Sequence, residues 1–192
     1  MIAVGYSGGV SDRLVRDVTL RPLQEKDLPR LWHFLHGDPH PEWKRWDAPY
    51  FALPPFQPLQ AWLPKEKKRL GENDSRRTIV IAGEFCGLTN WWREDQASGW
   101  AEGGLVIYDP ARWGRGHGTG ALRLMCDDVF STTAAHRLSL TTWSGNPRMI
   151  RSAQKLGFEV EGRLREARLW EGARYDSVRL GLLRREWLKA AD

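Results

Sequence analysis

Apolar positions along the chain change period several times, and each change marks an element. Val15–Leu20 reads as a first strand, ended by Arg21-Pro22. From Gln24 to His36, Leu28, Leu31, Trp32 and Leu35 recur at helical spacing and predict a helix. Pro39, Pro41, Pro49, Pro54, Pro55 and Pro58 then exclude a long helix or central strand, because proline fixes φ and lacks an amide donor. A second helix is predicted over Leu59–Leu70. Strand patterning follows: Arg77–Ala82 and Glu84–Arg93 form a hairpin through Gly83, and Trp100–Tyr108 adds another strand. Leu122, Met125, Cys126 and Val129 return to helical spacing, so a helix with one buried face runs from about Gly118 to Phe130. Arg137–Trp143 is a strand. Asn146-Pro147 opens a short helix, with Asn as N-cap and Pro at the first helical position. Gly157 closes it, and Phe158 supplies the accompanying apolar contact. Arg163–Trp170 and Tyr175–Leu183 pair through Glu171-Gly172-Ala173, with Val178, Leu180 and Leu182 alternating. The prediction is one α/β domain of α+β type over 14–192, with a loose leader over 1–13. Its sheet is mixed, mostly antiparallel and seven-stranded, flanked by helices.

The 192 residues suffice for a core without staples. The net charge of +5 comes from basic residues spread along the chain and interleaved with acids. The one dense run, Lys65-Glu-Lys-Lys-Arg69, reads as a solvated helix face, so no nucleic-acid partner is expected. No window is apolar enough to span a bilayer, and the first twelve residues lack the apolar core of a secretory leader. Cys86 and Cys126 read as buried free thiols, and together these features point to the cytoplasm. His33, His36, His40 and His136 show no metal-ligand spacing, so no metal is expected. Of the eleven tryptophans, Trp32, Trp43, Trp46, Trp62 and Trp91, with Trp92, fall in the first half of the chain and read as packing. Asp38, Glu42 and Asp47 lie among Trp43, Trp46, Tyr50 and Phe51 in the proline-stiffened connection. That mix suits either a pocket for a cationic substrate or a solvated loop over packed aromatics.

The stretch from Tyr108 to Ala121 carries the chemistry. Gly114, Gly116, Gly118 and Gly120 lie between a strand and a helix. Helix N-termini present unpaired N–H groups and partial positive charge, and glycines let an anion approach the backbone. Arg112 and Arg115 add fixed charge, so the loop is suited to a pyrophosphate. A P-loop is excluded, since Ala121-Leu122 and not Lys-Ser/Thr follow Gly120. Gly116–Ala121 matches G-x-G-x-x-A, but the acid expected about twenty residues on is missing near Leu140–Thr142.

Arg115-Gly-His-Gly118-Thr-Gly120 fits the R/Q-x-x-G-x-G/A pattern with which the GNAT superfamily of N-acetyltransferases holds acetyl-coenzyme A. Glu102-Gly-Gly-Leu-Val-Ile-Tyr-Asp-Pro110 resembles the family's fourth strand and following turn. Leu140–Pro147, Met149-Ile150 and Gln154–Arg163 resemble its fifth strand and the helix after it. The resemblance extends from about position 78 to 186. The Gly157-Phe158…Glu161-Gly162 pattern before a basic hairpin is similar to the ribosomal-protein N-terminal acetyltransferases.

The resemblance implies acetyl-coenzyme A-dependent acetylation of a primary amine by direct attack in a ternary complex, by a monomer or homodimer. The acceptor would be a protein α-amino group or a small amine such as a polyamine, aminoglycoside or amino acid derivative. It also implies cofactor contacts from Leu105, Val106 and Ile107 on the strand and from Asn146. In the loop they would come from Arg112, Trp113, Gly114, Arg115, Gly116, His117, Gly118, Thr119 and Gly120. Glu102 is the candidate base. Where many family members place a tyrosine, this chain has Ala153, so Ser152, Tyr108 or water would protonate the leaving thiolate. That departure leaves a second reading, a non-catalytic acyl-coenzyme A sensor on the same fold.

Overall fold

The computed structural model describes residues 17–70, 72 and 75–189, so the leader expected over 1–13 lies outside the described residues. The strands are β1 (Val18–Pro22), β2 (Arg77–Ile81), β3 (Glu84–Asp95), β4 (Trp100–Ile107), β5 (Arg137–Trp143), β6 (Glu159–Trp170) and β7 (Ala173–Leu183). The helices are α1 (Leu28–His36), α2 (Leu59–Arg69), α3 (His117–Thr132), α4 (Pro147–Gln154) and α5 (Arg184–Lys189). All seven strands join one sheet in the order β1-β2-β3-β4-β5-β7-β6. Every pair is antiparallel except β4–β5. That parallel pair is connected through α3, as a parallel connection requires a crossover.

Local chemistry explains the boundaries. Ala82 and Gly83 have φ of 51° and 82°, the left-handed pair whose twist suits a two-residue hairpin. β1 extends through Pro22, which the sequence reading placed at its end. β1 is an edge strand, where a missing amide donor is tolerated. The first helix starts at Leu28, later than Gln24. Residues 25–27 form a 3₁₀ turn instead, held by a reciprocal capping box in which the Gln24 amide donates to Asp27 Oδ2 at 2.9 Å. Asn146 accepts the Met149 amide at 3.1 Å, the N-cap expected of it. The short helix α5 was not anticipated, because six residues are too few to show a period. Trp187 anchors it by donating to Asp127 Oδ1 at 3.0 Å.

The sheet separates two apolar layers. On one face Leu122, Met125, Cys126 and Val129 of α3 pack against Leu138, Leu140, Leu180 and Leu182, all essentially inaccessible to solvent. On the other, Leu28 and Leu31 of α1 and Trp62 of α2 meet Trp43, Phe85 and Tyr108. The proline-rich connection is tied to α1 from within, since Trp43 Nε1 donates to the Phe34 carbonyl at 3.0 Å and Trp32 Nε1 to the Gln57 carbonyl at 2.8 Å. Both thiols are buried and free, and burial pushes each above its usual pKa.

Candidate active site

β4 and β5 pair from Trp100–Arg137 to Gly103–Leu140 and no further, although β4 continues to Ile107 and β5 to Trp143. Above Gly103 the β5 side of β4 therefore has no strand partner. A cavity of about 490 Å³ opens in this split. Leu105, Val106 and Ile107 form one wall and Thr141, Thr142 and Trp143 the other, with the start of α3 and α4 closing the end.

The glycine loop shapes that end. Gly114 and Gly116 have φ of 71° and 83°, conformations that side-chain-bearing residues rarely adopt. Gly116 is the N-cap of α3, and the first intrahelical bond runs from the Gly120 amide to the Gly116 carbonyl at 3.0 Å. The amides of His117, Gly118 and Thr119 are therefore first-turn donors without helical acceptors. A Cβ built on Gly118 would find one neighbour, Ile107 Cδ1 at 3.9 Å, so the space over this turn is open. Trp113 Nε1 donates to the Ile107 carbonyl at 2.9 Å, and His117 Nδ1 to the Arg112 carbonyl at 2.9 Å. Both bonds hold the loop on itself. Arg112 borders the cavity and pairs with Glu84 at 3.2 Å and Asp109 at 3.5 Å. Arg115 is exposed and has no ion-pair partner among the described residues. Open first-turn amides, an uncovered Gly118 and nearby guanidinium charge fit a diphosphate.

The other predicted residues occupy distinct positions. Asn146 borders the cavity, but its amide is used at both ends, since Nδ2 donates to the Trp46 carbonyl at 2.9 Å. Ser152 borders it too, and Thr119 Oγ1 donates to Ser152 Oγ at 3.1 Å. Glu102 is buried at the foot of the split. Its Oε1 accepts from Thr141 Oγ1 at 2.6 Å, and it borders neither this cavity nor the next. Tyr108 lies on the opposite face of the sheet, stacked on Phe34 at 5.1 Å, and burial pushes its phenol far above the usual pKa. It borders a second cavity of about 600 Å³, with Asn90, Trp92, Arg69 and Arg76. Gly104, Leu105 and Val106 line both cavities. The sequence reading missed Arg148, whose guanidinium lies 4.4 Å from the Trp46 ring and 5.7 Å from the Trp113 ring beside the first cavity. No local pattern marks it, because its partners come from two other segments.

Residues 17–159 match the family described as the acetyltransferase (GNAT) domain. The chain belongs to the GNAT acetyltransferase family. Relatives of this GNAT protein include the spermidine N(1)-acetyltransferase of Escherichia coli K12, 28% identical over 172 residues and covering 89% of this chain and 88% of that protein. A Bacillus subtilis protein, YdaF, described as a candidate ribosomal N-acetyltransferase, is 26% identical over 174 residues, covering 88% and 93%. The fold is shared with the Vibrio cholerae spermidine N-acetyltransferase crystallised with CoA and spermine, at a TM-score of 0.71 and 19% identity, covering 90% and 98%. Acetyl transfer to an amine is the reaction of this family, and membership favours catalysis over a non-catalytic sensor. The GNAT fold takes coenzyme A, as the Vibrio cholerae complex does. Among the described residues no His, Cys, Asp and Glu cluster could hold a metal ion, and no helix is long and apolar enough to cross a membrane.

Proposed function

We propose that this GNAT protein acetylates a primary amine that enters through the second cavity, while acetyl-coenzyme A occupies the split between β4 and β5. The observation that carries the reading is that Gly104, Leu105 and Val106 line both cavities. A thioester in the first cavity and an amine in the second would come together there without either crossing the sheet. The thioester supplies an activated acetyl group. The residues of this chain supply position and charge.

In this reading the amides of His117, Gly118 and Thr119, with the loop Arg112–Gly120, hold the diphosphate. Main-chain groups of Leu105, Val106 and Ile107 on the open side of β4 align the pantetheine arm and polarise the acetyl carbonyl. Asn146 and His117 act by fixing Trp46 and Arg112. Thr119 donates to Ser152, which leaves the Ser152 proton free for the departing sulfur. Glu102 braces Thr141 at the foot of the split. The second cavity presents acids and guanidinium groups together, which suits an amine carrying further polar groups. The setting is the cytoplasm, and the reaction requires neither nucleic acid nor membrane.

The test is thiol release from acetyl-coenzyme A with spermidine, an aminoglycoside and a peptide with a free α-amino group. Release should equal the acetylated amine recovered. Tight binding of coenzyme A with no release for any of a broad set of amines would restore the sensor reading.

A further inference from the structure

Among the described residues, four border both cavities: Asp47, Gly104, Leu105 and Val106. The last three are the β4 wall. Asp47 comes from the connection between α1 and α2, and it alone of the four ionises. Its backbone is fixed, with the amide donating to the Trp43 carbonyl at 3.3 Å and the carbonyl accepting from Lys44 Nζ at 2.9 Å. Its carboxylate is different, since among the described residues no hydrogen bond engages either oxygen. The side chain is exposed to solvent, and the protein packed beside it raises its pKa by desolvation, partly offset by Lys44. A carboxylate without a structural partner that borders both cavities is placed for substrate.

Resting on the acetyl-transfer reading above, we propose that Asp47 is the catalytic base, its carboxylate taking the proton that the acceptor ammonium must lose before attack. The freed nitrogen lone pair then forms the C–N bond to the acetyl carbon, and the C–S bond breaks with its electron pair leaving on sulfur. Ser152 gives its proton to that sulfur and regains one from the nitrogen, while the proton on Asp47 passes to solvent through the second cavity. One proton is released per transfer. Glu102 is less suited to this task, being engaged by Thr141 outside both cavities. Of the charges around Asp47, Lys44 favours its ionised form, and ionised Asp47 in turn raises the Tyr108 pKa. Arg69 and Arg76 are held by Glu66, Arg112 by Glu84, and Glu72 borders the second cavity.

The experiment uses the full chain, acetyl-coenzyme A and whichever of spermidine, an aminoglycoside or a free-amino peptide turns over fastest. Asp47→Asn should bind coenzyme A and melt as the wild type does, because no hydrogen bond is lost. Its kcat/KM for the amine should fall about a hundredfold at pH 7. The deficit should close as pH approaches the chosen amine's own pKa, about 10 for an alkylamine and about 8 for a peptide α-amino group, where no base is needed. Asp47→Glu should retain part of the rate. Carbon-13 NMR of labelled aspartate carboxyls, with the Asp47 signal assigned from both variants, should show it titrating above the ordinary aspartate range and shifting when spermidine is added. Asp47→Asn with wild-type rates and an unchanged pH profile would overturn the proposal, as would an ordinary titration indifferent to every amine. Failure of the wild type to bind coenzyme A would remove the underlying reading first, before any amine is tested.

Discussion

Gly103 and Leu140 face each other as the last register pair between β4 and β5. A Cβ on Gly103 would come within 3.1 Å of Met125 Cε and 3.2 Å of the Asn90 carbonyl. The strand is therefore pressed against α3 at the point where the sheet begins to open. α3 starts beyond the open end of that split, and its first turn faces the same cavity. The site follows from this one interruption: peptide groups that a continuous sheet would have consumed remain available to a ligand.

Replacing Gly118 by Phe should abolish coenzyme A binding and leave the fold intact. The open space over Gly118 admits the side chain, and leaving glycine in a helix changes stability by only about 1 kcal/mol. Calorimetry with coenzyme A and a thermal melt together check this, and unchanged affinity would count against the loop as the diphosphate site.

Ser152→Ala should lower kcat roughly a hundredfold without changing coenzyme A affinity, if its hydroxyl protonates the leaving sulfur. The loss should shrink with a thioester whose thiol is more acidic, since that leaving group needs less help. An equal loss for both thioesters would give Ser152 a packing role only.

Arg184 donates to three carbonyls at the end of α3 and just beyond it: Phe130 at 2.6 Å, Thr133 at 2.8 Å and Ala135 at 2.7 Å. The planar guanidinium satisfies all three at once and complements the negative helix terminus. Arg184→Met should cost about 3 kcal/mol, a fall in Tm of roughly 6–12 °C. Arg184→Lys should recover little, because an ammonium lacks that fork. Thermal melts of both variants measure it.

Asp27 is buried and receives a two-pronged hydrogen bond from Arg21, at 2.6 and 2.7 Å. Burial alone would raise its pKa, but Arg21 and the Gln24 amide outweigh that and hold it below the ordinary value. The folded pKa being depressed, this stability is fully present above the unfolded value of about 3.9. It is lost as pH falls through the lower folded one. Arg21→Met should destabilise the protein by about 2 kcal/mol at neutral pH, a figure reduced because Arg21 is partly exposed. Urea denaturation should show the gap between variant and wild type narrowing below about pH 4. A gap independent of pH would mean the loss is one of packing.

The legible parts were those written in local chemistry. The α3 face, the Asn146-Pro147 cap, the Gly83 turn and the glycine loop each lie within a few consecutive residues, where period and backbone freedom decide the outcome. Six residues of α5 gave no period, and the start of α1 was moved by an Asp27 side chain that accepts from the Gln24 amide.

What the sequence determined by itself was the order of the strands and of the helices before α5, the glycine turn that opens α3, and the family. Tertiary structure alone decided that Glu102 is engaged by Thr141, that Tyr108 borders the second cavity, and that Asp47 borders both. These facts depend on which strand edges separate and on where a proline-rich connection docks. Both are set by packing between segments tens of residues apart, and no local pattern encodes them.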